Sequence, residues 1–223
     1  MFIYYEKQCS FMTTIRKIEQ KCPVCGKPSL VSVLTSTSTW GYPDLDLRPS
    51  EMQRSSMFAW LAECPHCGYV SGNFNNGTDI TEEFLQGDDY KSLEGFEFKS
   101  NLAKRFFKAY LIARELNDGR KCFFNLLHCA WECDDAKDSN ATEIRKKALS
   151  YIDAFEAGED EKRNLLCMKA DLLRRSGQFD ELIDNFTGVK IGEEPHDRII
   201  AFQIEKASAK DTTCYTVEDV INP

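Results

Sequence analysis

From residue 100 onward the apolar positions recur at helical intervals. Leu102, Phe106, Ala109, Ala113 and Leu116 lie three or four residues apart, which predicts a first helix with Gly119 as its left-handed cap. Residues 120–135 are apolar nearly all round, through Phe123, Phe124, Leu126, Leu127, Ala130 and Trp131. This second helix should form the buried centre of a bundle. A third is expected from Asn140, with Glu143 in capping-box position, through Ile144, Ala148, Tyr151, Ile152 and Phe155 to a stop at Gly158. A fourth, over 160–176, turns Leu165, Leu166, Ala170 and Leu173 inward and ends at Gly177. A fifth follows a very short turn with Phe179, Leu182, Ile183 and Phe186, and Pro195 suits the first turn of a sixth bearing Ile199, Phe202 and Lys206. The tail from Tyr215 carries no assignable pattern.

The first hundred residues follow another period. Ser29 to Thr35 is rich in β-branched residues and predicts a strand, Met57 to Ala62 a second, and Tyr69 to Ser71 a third. Gly72, Asn75-Asn76-Gly77, Gly87 and Gly95 are turn chemistry, with a short helix expected around Ile80 to Leu85 capped by Thr78 or Asp79. The chain therefore divides into an extension over 1–19, a strand module over 20–75, a linker over 76–99, a helical domain over 100–211 and a tail over 212–223. Met12 is a candidate for the native start.

The strands feed two matching cysteine turns, Cys22-Pro23-Val24-Cys25-Gly26 and Cys64-Pro65-His66-Cys67-Gly68. Cys22, Cys25, Cys64 and Cys67 together supply four thiolates, the ligand set of a closed tetrahedral Zn²⁺ site. Each proline presets its turn, and each glycine lets backbone amides approach the anionic sulfurs. Two such knuckles fed by short antiparallel strands make a zinc ribbon, a module too small to fold without its metal. With its shell filled by four sulfurs, the metal has no place for an activated water, so its role is structural and the protein is expected to be non-catalytic. The same ligands in the same geometry resemble rubredoxin, and Fe stays open as the alternative ion, with electron transfer as its consequence.

Other candidate chemistry is weaker. In an extended segment Asp44, Asp46 and Arg48 share one face and Leu45 and Leu47 the other, which permits a small polar site but fits a solvated loop with local ion pairs better. Cys122, Cys129 and Cys133 lie on one side of the second helix, with His128 nearby. They invite a second metal, yet small buried packing residues account for them more simply. His66 is expected to point outward from its knuckle and His196 to sit on a first helical turn.

Composition narrows the partners. A formal charge of −8 argues against general nucleic-acid affinity, although Lys17, Lys21, Lys27, Arg48 and Arg54 could form a local positive patch on the ribbon. No apolar run reaches the length of a membrane span and the N-terminus lacks the pattern of a signal peptide, so a cytoplasmic location is expected. Ten cysteines fit a reducing compartment when four are metal ligands and others fall in helical apolar stripes.

The run Leu166-x₃-Ala170-x₂-Leu173-x₃-Gly177-x-Phe179-x-Glu181-Leu182-Ile183-x₂-Phe186 resembles a tetratricopeptide repeat. A looser copy begins at Leu126, Ala130 and Cys133 and resumes at Lys147 to Tyr151 and Phe155, with Ala130 and Ala170 lying 40 residues apart. Taken with Trp60 through Cys64-Pro65-His66-Cys67-Gly68-Tyr69, the order of parts resembles the bacterial DUF2225 family, which joins such a ribbon to tetratricopeptide-like helices. That resemblance implies an architecture and no activity, since the family has none established. The expected fold is α+β, mainly α: a small zinc ribbon followed by an antiparallel tetratricopeptide-like array. The expected function is that of an adaptor presenting a helical surface to a protein partner, with Trp40, Tyr42, Phe58 and Tyr69 as further candidates on the ribbon.

Overall fold

The computed structural model describes residues 13–192 and 194–222, so the expectations for the first twelve residues lie outside it. The alternating segment at the start folds into a long antiparallel hairpin, β1 (Thr14–Lys21) with β2 (Pro28–Ser36), in register from Lys21 opposite Pro28 to Ile15 opposite Leu34, with a shift between Ile15 and Thr14. β1 thus begins ahead of residue 20, the edge drawn from sequence. Two minimal hairpins follow: β3 (Thr39–Trp40) with β4 (Glu51–Met52), and β5 (Ala62–Glu63) with β6 (Val70–Ser71).

The strand expected over Met57 to Ala62 is largely absent. Arg54–Ala59 winds instead into a 3₁₀ turn and only Ala62–Glu63 is extended. Burial explains the difference: Ser56, Met57 and Ala59 are all inside, a spacing that strand alternation cannot deliver and a tight helical turn can.

Residues 76–99 are more ordered than turn chemistry suggested. They carry α1 (Glu82–Gln86), α2 (Asp88–Lys91) and a 3₁₀ turn, and they bury Leu85, Tyr90 and Leu93. Thr81, rather than Thr78 or Asp79, caps α1 by accepting from the Phe84 amide.

The helical half follows its apolar period closely. α3 (Asn101–Glu115) is capped by Ser100, whose hydroxyl accepts from the amides of Leu102 and Ala103. α4 (Gly119–Asp135) buries Phe123, Leu126, Leu127, Ala130 and Trp131, as expected of a central helix. The left-handed residue between them is Asn117, with φ 55°, and not Gly119. Gly119 is needed for another reason: a Cβ there would stand 3.0 Å from Ala154. α5 (Ala141–Leu149) is shorter than predicted. Tyr151 and Ile152 fold back through i→i+3 bonds to Ala148 and Leu149, which turns the chain so that Ile152 packs on the core.

α6 (Glu159–Arg175) and α7 (Phe179–Phe186) are joined at Gly177, which has φ 77° where a left-handed residue ends the helix. Leu166 is the exception to the predicted inner face of α6, being exposed. α8 (His196–Ser208) follows Pro195. The tail adds α9 (Val217–Ile221), announced by a Thr216/Asp219 capping box that sequence reading passed over.

Two apolar cores result. The larger is continuous from the strand pairs to the helices, joining Val31, Met57, Tyr69, Val70 and Phe74 to Phe106 and Phe107 of α3 and on through α4 and α5. The smaller is built from α6, α7, α8 and α9 and takes in Leu45 from the loop between β3 and β4. The loop between β3 and β4 reaches the far end of the chain: Leu45 donates its amide to the Tyr215 carbonyl at 2.9 Å, and Val217 donates to Pro43 at 2.9 Å. Among the described residues no helix is long and apolar enough to cross a membrane.

Candidate metal centre

Each cysteine knuckle occupies the turn of a hairpin. In the first, between β1 and β2, the Gly26 amide donates to Cys22 O at 2.9 Å and the Cys22 amide to Lys27 O at 3.0 Å. In the second, between β5 and β6, Gly68 donates to Cys64 O at 2.9 Å and Cys64 to Tyr69 O at 2.8 Å. Both glycines have positive φ, 69° and 79°, which frees the chain to close around the sulfurs. The matching pattern of the two turns gives matching backbone hydrogen bonds.

The β5–β6 turn brings the second pair against the first. All four Sγ atoms lie within 4.8 Å of one another, with Cys22 to Cys67 at 3.6 Å and Cys25 to Cys64 at 3.7 Å. A tetrahedral shell with Zn–S bonds of about 2.3 Å sets its sulfurs about 3.8 Å apart. Iron held by four thiolates has the same arrangement, so the donor set fits a metal without naming it.

The surroundings act on the thiols in opposing directions. Burial pushes Cys22 and Cys67 up. For Cys64 burial also works upward, but the backbone amides of Cys67 and His66 prevail and hold it down at about 7. Four thiols this close, two of them buried, are well matched to a cation that takes their protons. Tyr90 of α2 donates its hydroxyl to Gly68 O at 2.6 Å, and Lys108 of α3 pairs with Glu63 at 2.5 Å, so the second knuckle is bolted to the helical half.

Among the described residues these four cysteines are the only group of three or more His, Cys, Asp or Glu side chains placed to hold a metal. Cys122, Cys129 and Cys133 are fully buried, with burial raising Cys122 to about 11 and Cys129 well above the usual thiol value, as packing residues should behave. His66 is exposed, its Nε2 3.4 Å from Pro28 O. His196 Nε2 meets Asn164 Oδ1 at 3.1 Å on the first turn of α8.

The loop over 44–48 departs furthest from expectation. It is no solvated loop: Asp44, Asp46 and Arg48 are all buried, at 3%, 0% and 4% exposure. Asp46 accepts from Trp131 Nε1 at 2.7 Å and from Arg175 at 3.1 Å. Arg48 grips both carboxylate oxygens of Asp135, at 2.9 and 2.5 Å. Asp44 binds Arg54 at 2.5 Å. Arg175 also reaches Asp134 at 2.6 Å, which Arg145 pairs with in turn, and Arg174 binds Asp171 at 2.8 Å and Gln203 Oε1 at 2.5 Å. Burial opposes the charge on Arg175, and the carboxylates of Asp171, Asp46 and Asp134 more than offset that. Each arginine in this network has a carboxylate; Arg174 and Arg175 meet the buried Asp171 and Asp46, whereas Arg48 reaches out to the exposed Asp135.

That network removes Arg48 and Arg54 from the positive patch suggested on the ribbon, leaving Lys17, Lys21 and Lys27 exposed. Of the aromatic candidates, Trp40, Tyr42 and Phe58 are exposed, at 68%, 42% and 49%, whereas Tyr69 is core.

No protein-family model, curated protein or solved structure matches this chain. What is established is a four-cysteine cluster compatible with a metal site, in a protein of short strand pairs and predominant helices.

Proposed function

We propose that the protein is a non-catalytic scaffold in which a structural zinc ion, held by Cys22, Cys25, Cys64 and Cys67, fixes a ribbon against a tetratricopeptide-like helical array that serves a protein partner. The observation that carries the reading is the four-sulfur cluster itself, all within 4.8 Å, at the meeting of two matched hairpin turns. Four thiolates leave no ligand position for substrate or water, which favours a structural role. Iron remains the alternative occupant and would make the centre an electron carrier.

Beside the helical surface, exposed aromatics of the strand half support contact with a partner. Trp40 and Phe58 are large, rigid and exposed, the kind of anchor that dominates protein interfaces. The order of knuckles and helices also supports membership of the DUF2225 family and, with it, a bacterial cytoplasmic setting.

The test is affinity capture from bacterial lysate with the full chain as bait, repeated with Trp40→Ala/Phe58→Ala. The reading expects a defined partner recovered by the parent and reduced at least tenfold by the double variant, with unchanged melting temperature. Recovery that is indifferent to the double substitution, or nothing above background across several growth conditions, would contradict it.

A further inference from the structure

A cleft of about 500 Å³ lies between the β3–β4 loop, α4 and α6, and none of the four cysteines lines it. Its volume falls in the range of small-molecule sites. The walls are aromatic. Trp60, Phe124 and Trp131 border it, and the ring of His128 sits among them, 5.1 Å from Trp60, 6.3 Å from Phe124 and 4.8 Å from Trp131, centroid to centroid.

His128 is the unusual member. Among the described residues its imidazole makes no hydrogen bond, although it is packed by aromatic rings on several sides. His128 is half-buried and lines the cleft, and neither ring nitrogen is among the sealed, unpartnered polar atoms of the interior. Burial, with help from Arg48, presses its pKa down to about 3, which keeps the ring neutral with one donor and one acceptor. Two carboxamides face the same space. Asn164 has its oxygen engaged by His196, leaving its NH₂ as a donor, and the Gln53 side chain makes no hydrogen bond among the described residues.

Formal charge in the cleft is already spent. Asp46 accepts from Trp131, Arg175 and the Arg48 amide, and Glu161 is paired with Arg120; no lysine or arginine lines the walls. An ion entering here would lose its hydration without meeting a free counter-charge. A flat neutral molecule would instead keep its faces on aromatic rings and its polar edge on groups that want partners.

We propose that this cleft binds a small uncharged planar heterocycle of purine or pyrimidine size, set against Trp60, Phe124 and Trp131 and hydrogen-bonded along one edge to His128, Asn164 and Gln53. Neither the four cysteines nor Trp40 and Phe58 line the cleft, so the binding test and the partner test can fail separately.

The experiment is calorimetric titration and tryptophan-fluorescence quenching of the full metal-loaded chain with adenine, hypoxanthine, uracil and nicotinamide, against tryptamine and indole-3-acetate as charged comparators. At least one neutral probe should bind saturably and at least tenfold more tightly than both charged ones. His128→Phe, which keeps the ring packing and removes the nitrogens, should weaken that binding tenfold or more. Gln53→Leu, at a position less critical to folding, should weaken it several-fold with the melting temperature unchanged. The proposal is overturned if no neutral probe binds saturably at millimolar concentration, if a charged comparator binds as well, or if a folded variant of either kind retains parental affinity.

Discussion

Replacing Cys64 with serine should unravel the hairpins around the cysteine cluster and lower the melting temperature of the whole chain by about 10 °C or more. β5 and β6 are two residues each, and the knuckle turns are held by a few backbone bonds, so the hairpins cannot sustain their geometry alone. Structural metal supplies roughly 10–16 kcal/mol of apparent binding energy in small thiolate modules, and losing one ligand forfeits a large part of it. Damage should travel, because Val31, Met57, Tyr69 and Phe74 share a core with Phe106 and Phe107. Hydrogen exchange should show lost protection across β1, β2 and residues 57–74, and exposure extending to α3. Cys167→Ala, a buried cysteine in the second core, is the comparison and should cost only about 1 kcal/mol. Equal effects from the two substitutions would mean that the cluster holds no metal of structural consequence.

The second large effect is expected at Asp46, whose substitution by alanine should cost about 3 kcal/mol, read as a shift in urea midpoint. Asp46 has no exposed surface, and its removal strips an acceptor from both Trp131 Nε1 and Arg175. The loop would then lose its hold on α4 and α6, and with it the seat of Leu45 in the second core. Combined with Arg175→Ala the two losses should be non-additive by more than about 1 kcal/mol, since each removes the same interaction. A cost within about 0.5 kcal/mol of zero, as for an exposed charge, would contradict the buried network.

The contrast between these two sites shows what could be read in advance. The cysteine knuckles were legible because each is local: turn, glycine and ligand spacing are written within five residues, and two copies repeat the same text. The long helices were legible because Phe106, Leu126 or Leu173 repeat every turn against a core, and α3, α4, α6 and α7 appear close to where periodicity put them. Asp46 was not, because its partners Trp131 and Arg175 stand 85 and 129 residues away and no local pattern distinguishes a buried aspartate from a solvated one. A signal did exist: Asp171, Arg174 and Arg175 continue the apolar stripe of α6. Charges on a face that must be buried imply opposite charges elsewhere. The cleft at His128 depends on the same loop and was hidden for the same reason.

The central claim is that the four cysteines hold a structural zinc ion. Elemental analysis of the full chain purified without added metal, with its visible absorption spectrum recorded alongside, tests it most directly. The account predicts one zinc per chain and no visible colour. One iron per chain with thiolate charge-transfer bands, or a folded protein carrying no metal, would contradict it.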